Sequence, residues 1–439
     1  MLKPRFLILN VLALLPALAQ TTVTLPEAWN IALENNLTLQ QQQKAIQQAR
    51  EEVAIQKTGY LPVFNGSAAF YYQSDLPTLE VPFPILGREF TSEIGVKDQY
   101  NLGLAVNQPI FTGFRIRNLV KAAREREQAQ ALQDSTLRRQ LLLQTGSIFY
   151  RLQLDLTQQK VLEEAIRRVD YRLQQARNLF YAGQAAAFDT LEVANRKLQY
   201  QSQLQNLRNL YRVLLTQFRH VLNTEAPLDV ERLAIETVEL SLESADDYLA
   251  VAAAHRPELK QLAALQQAEL YRSRSLQSAY FPQVYANASY HYARPGVNFF
   301  SDEWMTYYTF GVGLQWEIWN WSRDRKRVQQ SRLEYDKLDL QSRQLLQNVR
   351  QQVTEAYEYL QTAREQILFQ RRIVAQEMER YRITESKYAE GQAANLDVSA
   401  AETSLLEAEL LLQQNYIQWY QYKLQLDFAT GAIGQNGGK

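Results

Sequence analysis

The 439 residues include no cysteine. That excludes disulfides, thiolate metal sites, cysteine nucleophiles and a lipid-bearing N-terminal cysteine. Histidine is nearly as scarce, with three in the chain. His220, His255 and His291 do not cluster in sequence, and no metal spacing, phosphate loop or nucleophile motif accompanies them. All three are read as structural, and the chain is expected to be no enzyme and to need no cofactor or metal. An excess of one charge is missing too, since 47 Lys and Arg balance 47 Asp and Glu, so nothing suggests a nucleic-acid partner. Beyond Leu18 no apolar run reaches the about 18 residues of a membrane-spanning helix. A β-barrel is the remaining way for a chain to cross a bilayer.

The first residues have the pattern of an export signal. Lys3 and Arg5 precede an apolar stretch, Phe6 to Leu18, and Ala17-Leu18-Ala19 is an A-x-A cleavage site. A signal peptide over 1–19 and a mature chain from Gln20 are expected. The other reading, a membrane anchor, is disfavoured because the run is short for a bilayer.

A duplication organises the rest. Tyr181-Ala-Gly-Gln-Ala-Ala-Ala-Phe-Asp189 returns near the C-terminus, where Gly391-Gln-Ala-Ala-Asn-Leu-Asp397 matches Gly183 to Asp189 at an offset of 208 residues. Each copy separates two long helical patterns. The glycine can take the left-handed conformation that stops a helix, and the aspartate suits the first turn of the next one. Each copy therefore reads as the tip of a helical hairpin. The two repeats are placed at about 20–227 and 228–430, with a Gly-rich tail over 431–439.

In order, Thr24 to about Lys57 is expected to form one helix, capped by Thr24 with Glu27 as its capping-box partner. Period-two patterns follow at about 62–74 and 99–109, and again at about 283–293 and 305–317. Phe64, Ala68, Phe70 and Tyr72 oppose Asn65, Ser67 and Ala69; Tyr100, Leu102, Leu104 and Val106 oppose Asn101, Gly103, Ala105 and Asn107. One apolar and one small or polar face fits a membrane barrel with a wet lumen; a half-buried strand of a soluble sandwich has the same alternation. Helix is expected over Arg115–Tyr181, Asp189–Leu222, Ser244–Ser278 with a break at Pro257, Ser322–Tyr388 and Asp397–Thr430. The long helices would measure about 100 Å and the shorter ones about 50 Å, so two short helices end to end would match one long one. Val328, Tyr335, Leu338, Ser342, Leu345, Val349, Val353, Tyr357, Leu360, Ile367, Val374, Met378 and Tyr381 follow three- and four-residue steps, a coiled-coil seam. Four strands cannot close a barrel and open edges are not tolerated in lipid, so a barrel demands an oligomer.

Signal segment, repeats and tips together resemble the TolC family of outer-membrane efflux channels over essentially the whole mature chain. The motifs are Gln108-Pro109-Ile110-Phe111 with Gly113, Arg256-Pro257-Glu258-Leu259, and the two tips. The resemblance implies a mainly α membrane protein of duplicated helix–β-hairpin–helix repeats. As a homotrimer it would form a twelve-stranded barrel in the bacterial outer membrane, continued by a periplasmic coiled-coil α-barrel. It implies a passive, gated exit duct of a tripartite efflux or type I secretion system, partnered by a periplasmic membrane-fusion adaptor and an inner-membrane efflux pump or ABC transporter. The alternative is a periplasmic coiled-coil scaffold or adaptor without a pore.

Departures from the family pattern are Asn36-Leu37-Thr38-Leu39, which lacks a proline, Glu317 in place of a Pro109 counterpart, Ala400 for a second acidic ring residue and Ala393 for a basic latch residue. Asp397 matches an acidic residue of the entrance ring, and Asp189 and Tyr388 match latch partners. Asp397 reads equally as a helix-start charge. Gly183, Gln184, Gly391 and Gln392 are the expected adaptor contacts. Arg115 and Arg117 recur as Arg323 and Arg325 at helix starts, where positive charge opposes the dipole; outer-membrane lipid headgroups at the barrel rim, or a solvated face, would account for them. Tyr60, Tyr72, Trp316 and Trp319 are expected in interfacial aromatic girdles.

Overall fold

The structure, a computed structural model, describes residues 21–81, 90–237 and 239–434. The expected signal peptide and its cleavage point lie outside the described residues, as do residues 435–439 of the tail. In chain order the elements are β1 (Thr21–Val23), α1 (Leu25–Asn35), α2 (Leu37–Thr58), β2 (Val63–Tyr72), β3 (Thr78–Val81), β4 (Phe90–Glu93), β5 (Asp98–Phe111), α3 (Arg115–Tyr181) and α4 (Ala187–Leu222). Then come β6 (Leu228–Val230), α5 (Ala245–His255), α6 (Pro257–Leu276), β7 (Gln283–Arg294), β8 (Met305–Gln315), α7 (Arg323–Ala389) and α8 (Asn395–Thr430). The chain divides into two compact units, each drawing on both sequence repeats. Among the described residues, one comprises 21–41, 135–256 and 346–434, the other 42–134 and 257–345.

The second unit holds a four-stranded antiparallel sheet in the order β2-β5-β7-β8. Val63 pairs with Asn107 in the first hairpin and Gln283 with Gln315 in the second, so the duplicated sequence folds in a duplicated register. Pleating sorts the side chains as expected. One face carries Phe64, Phe70, Leu102, Leu104, Val106, Val284, Tyr290, Tyr292, Phe310, Val312 and Leu314. It is uncovered in the chain, Phe310 and Leu314 being 75% and 67% exposed. The other face carries Asn65, Ser67, Asn101, Asn107, Asn287, Ser289, His291 and Thr309. His291 sits in this polar row, with Nδ1 3.1 Å from Asn101 Oδ1, Nε2 3.0 Å from Ser289 Oγ and its ring stacked on Tyr307. Gly103 makes room for it, since a Cβ there would lie 3.3 Å from His291 Nδ1 and 2.8 Å from Ser67 Oγ. The loop after β2, longer than its counterpart, forms the small β3–β4 hairpin, which the alternation pattern did not reveal.

In the first unit, helix breaks have local causes. The segment expected as one helix is two. Asn36 ends α1 in an extended conformation and its Oδ1 accepts the Leu39 N–H at 3.1 Å, capping α2. Arg256 stands 220 residues later in sequence and is again extended, between α5 and α6, with Pro257 opening α6. Its buried guanidinium donates to Ala429 O (2.8 Å) in the last turn of α8 and to Gln352 Oε1 (2.6 Å). A cation there completes orphan carbonyls and complements the dipole.

The α7 seam is real. Val353, Ala356, Leu360, Ala363, Ile367 and Gln370 are buried at alternating three- and four-residue steps, with Ala356 in the seam where Tyr357 was expected, and Tyr381 is buried further along. The step after Val374 goes to Glu377, half-buried, whereas Met378 is 42% exposed. Gly146, the one glycine inside α3, lies against α8: a Cβ there would be 2.7 Å from Leu424 Cδ2.

The parallel pair β1–β6 is tied to α3 through buried Gln153, which donates to Glu231 O (2.6 Å) and accepts from Leu233 N (3.0 Å). Two residues on, Asp155 is 2% exposed; Gln159 donates to its Oδ2, while Oδ1 is buried without a partner. Burial pushes this carboxyl up to about 6. The folded state therefore binds its proton more readily than the unfolded state, and the ionised group costs stability at neutral pH, a cost that fades as pH falls through 6 towards the unfolded value. Asp155→Asn keeps the acceptor for Gln159 and removes the charge. It should stabilise the protein by about 1–3 kcal/mol at pH 8 and by almost nothing near pH 4, read by thermal unfolding at both pH values.

Candidate functional site

Both helical tips close by the same hydrogen bonds. Gly183 and Gly391 have φ of +71° and +75°. At the first tip Gly183 N donates to Phe180 O and Gln184 N to Leu179 O; at the second Gly391 N donates to Tyr388 O and Gln392 N to Lys387 O. These are paired Schellman turns, in which only glycine adopts the left-handed position without cost. Gly183, Gln184, Gly391 and Gln392 all lie exposed at the turns, and a Cβ built on either glycine meets nothing within 4 Å.

Asp189 and Asp397 open the next helices. Each accepts the N–H of the alanine at its own N-cap, Asp189 Oδ2 from Ala186 at 3.2 Å and Asp397 Oδ2 from Ala394 at 3.1 Å. This is the helix-start role that the sequence allowed for both. Asp397 remains exposed, so its charge also faces solvent. Tyr388 lies against the small cluster of Tyr381, Val398, Ala401 and Leu405. Its hydroxyl is buried without a hydrogen-bond partner. Burial, and then the nearby Asp189 carboxylate, hold its pKa above the usual phenol value.

The strongest polar linkage near the tips is one that sequence reasoning missed. Arg172 of α3 is 2% exposed, and Glu402 of α8 is fully buried. The guanidinium donates to Glu402 Oε2 at 2.5 Å, to Asn395 Oδ1 at 2.9 Å and to Ser399 Oγ at 3.3 Å, all on α8. Asn395 in turn donates to Glu192 Oε2 of α4 at 2.8 Å. One turn further from the tip along α3 than Arg172, Arg168 makes a bidentate pair with Glu409 at 2.8 and 3.3 Å. Around them Val161, Leu162, Ala165, Val169 and Leu173 of α3 pack with Val193, Tyr200 and Leu204 of α4 and Leu406 of α8. Thus two ion pairs and their hydrogen bonds join the first hairpin to the second. Burial raises the Glu402 carboxyl above the ordinary glutamate range despite Arg172 beside it, and does the same to Glu409 against Arg168. One signal was in the sequence: Arg172 and Arg168 sit four residues apart on α3 and Glu402 and Glu409 seven apart on α8, both helical spacings. Many exposed charges have the same spacing, so it could not single them out.

Arg115, Arg117, Arg323 and Arg325 are exposed at the starts of α3 and α7. Arg323 is offset by Glu317 at 2.5 Å and by Asp324 at 3.6 Å. Tyr60, Trp316 and Trp319 are exposed at the helix-side end of the sheet and Tyr72 at the other. Near that other end, Phe70, Tyr100, Trp304 and Tyr292 form a ring-to-ring row, with centroids 5.0, 5.7 and 4.5 Å apart. Among the described residues no group of three or more His, Cys, Asp and Glu is placed to hold a metal ion.

A family profile described as outer membrane efflux protein matches residues 28–224 and 248–432. No curated protein matches the chain significantly. Among solved structures, CusC superposes with a TM-score of 0.79 at 16% identity, covering 94% of this chain and 93% of that one. The outer membrane protein VceC from Vibrio cholerae gives 0.73 at 15% identity, with 93% and 96% covered. The outer membrane channel MtrE of Neisseria gonorrhoeae, in its open state, gives 0.73 at 15% identity, with 94% and 91% covered. At these identities the likeness is one of fold. The profile spans both sequence repeats, and the protein belongs to the outer membrane efflux protein family.

Proposed function

We propose that this protein is the outer-membrane exit channel of a tripartite efflux or type I secretion system. The observation that carries the proposal is the sheet of the second unit. It has one uncovered apolar face, one polar face and two free edges, which is what a segment of a membrane barrel with a wet lumen requires. With four antiparallel strands per chain, adjoining copies meet antiparallel, so three copies close a twelve-stranded barrel without a mismatch. Substrates would pass through it unchanged, delivered by an inner-membrane pump or ABC transporter through a periplasmic adaptor that docks on the tips at Gly183, Gln184, Gly391 and Gln392. The export signal expected over 1–19 would send the chain to that location. The poreless scaffold has no use for an apolar sheet face of this size. Purified protein that stays soluble without detergent, leaves membranes in carbonate and gives no conductance in planar bilayers would refute the channel.

Gating is assigned to the tips. Opening requires the second hairpin to move relative to the first, and the Arg172–Glu402–Asn395–Ser399 network opposes that. Removing one partner of such a pair leaves a buried charge uncompensated, at a cost of about 3–5 kcal/mol. Arg172→Ala should therefore raise single-channel conductance several-fold in planar bilayers; unchanged conductance would move the gate elsewhere. Asp397 supplies charge at the constriction, with Asp189 and Tyr388 beside it. Asp397→Asn keeps the cap acceptor and removes the charge, so it should lower cation preference, read from reversal potentials, while leaving the fold intact. Gly391→Trp should preserve the oligomer yet abolish export in cells, because its bulk occupies the surface where an adaptor would dock.

A further inference from the structure

A cavity of about 530 Å³ opens between α3, α6 and α7 in the second unit. That volume suits a small organic molecule. Three arginines stand at it, Arg126 on α3, Arg272 on α6 and Arg327 on α7. Half-buried Leu265, Leu276 and Leu338 give it an apolar lining. Glu269 and Ser331, both buried, also line it, and Ser331 Oγ donates to Glu269 Oε1 at 2.6 Å.

Contacts between the helices set the levels of these groups. α6 runs towards the sheet, and α3 and α7 run away from it. Gln261 of α6 donates to Gln133 Oε1 of α3 at 2.9 Å. Arg126 and Ala268 are each seven residues nearer the sheet, so they are level. Arg272 and Arg327 lie about one turn to the sheet side of the Glu269–Ser331 bond. The three arginines therefore start within about 8 Å of one another along the helices. Leu276 lies to the sheet side of that level, and Leu265 and Leu338 lie to the other.

The acidic groups nearby are already engaged. Glu269 takes Ser331, with Arg272 at 3.5 Å. Glu334 takes Lys337 at 3.2 Å. Asp324 is shared between Arg327 at 3.5 Å and Arg323 at 3.6 Å. Arg126 has no ion pair or side-chain hydrogen bond among the described residues. The cavity is thus left with surplus positive charge. Helix packing alone does not call for it, as the first repeat shows. Residues of α2 correspond to α6 on adding 220, as Leu61-Pro62 does to Phe281-Pro282, and residues of α3 correspond to α7 on adding 208. Glu269, Ser331 and Arg327 then stand where the first repeat has Ala49, Ala123 and Leu119.

We propose that this cavity binds an amphipathic organic anion. Its phosphate, sulfonate or carboxylate is held by Arg126, Arg272 and Arg327, whose guanidinium forks match such groups. Its apolar body lies on the leucines. A membrane lipid with a phosphate headgroup and a soluble organic anion share this chemistry. The site goes beyond the channel reading and does not depend on a pore.

The test uses full-length protein in a nonionic detergent. Phosphate-bearing lipid that co-purifies is first extracted and counted. The delipidated protein is then titrated by calorimetry with naphthyl phosphate, and with naphthol and inorganic phosphate as its two halves. Wild type should bind about one naphthyl phosphate per chain, about tenfold more tightly than either half. Arg126 and Arg327 are exposed, so Arg126→Gln/Arg327→Gln should keep the helical signal and the oligomer while weakening binding about tenfold. Glu269→Gln keeps an acceptor for Ser331 and removes a negative charge, so it should strengthen binding. Lipid retained by wild type at about one per chain and lost from the double variant identifies the natural ligand as a membrane lipid. Probe binding by a wild type that carries no lipid identifies a soluble anion. Lipid and probe held equally by wild type and the double variant, or neither held by wild type, overturns the site.

Discussion

A strand edge in lipid leaves N–H and C=O groups without partners, each at a cost of several kcal/mol. The sheet β2-β5-β7-β8 has two such edges and an apolar face with no cover in the chain. Much else in the proposed architecture follows from satisfying that constraint. An even number of antiparallel strands lets identical copies join edge to edge. Duplication with matched registers means that one kind of strand contact, once stable inside the chain, can also serve between chains. Gly103 in the polar row yields space to the His291 ring on the neighbouring strand.

At the other unit the controlling interaction is buried charge. Arg172 and Glu402 are held out of water, and Asn395 and Ser399 accept further guanidinium hydrogen bonds, while Arg172 Nε and Glu402 Oε1 stay buried without a partner. Such a network contributes less to stability than to a unique alignment of α3 with α8. The tips themselves are simpler, with glycine-stopped helices and aspartates that cap the next ones.

The strands, the long helices and both tips were legible in the amino-acid pattern because each depends on local rules: alternation for strands, seam spacing for α7, a left-handed glycine for the turns. Boundaries such as Arg115–Tyr181 could be read because glycine or proline stands at both ends. The break at Asn36 was not read, because a side-chain cap leaves a weaker mark than a proline, although the equivalent position in the second repeat has one beside it. The β3–β4 hairpin was missed because four-residue strands are too short for alternation to show.

By itself the sequence determined the long strands and helices, the duplication, which strand face is apolar, and that a barrel would need an oligomer, since all of these follow from residue order and from the impossibility of closing four strands. Tertiary structure decided which charges are buried. Arg172 and Glu402 lie 230 residues apart, and only the packing of α3 against α8 separates them from the many similar arginines and glutamates left in water. It also decided that β5 pairs with β7, joining the two repeats in one sheet. Hydrogen bonding between backbones carries no side-chain signature, so no pattern in the chain could announce that pairing before the fold was formed.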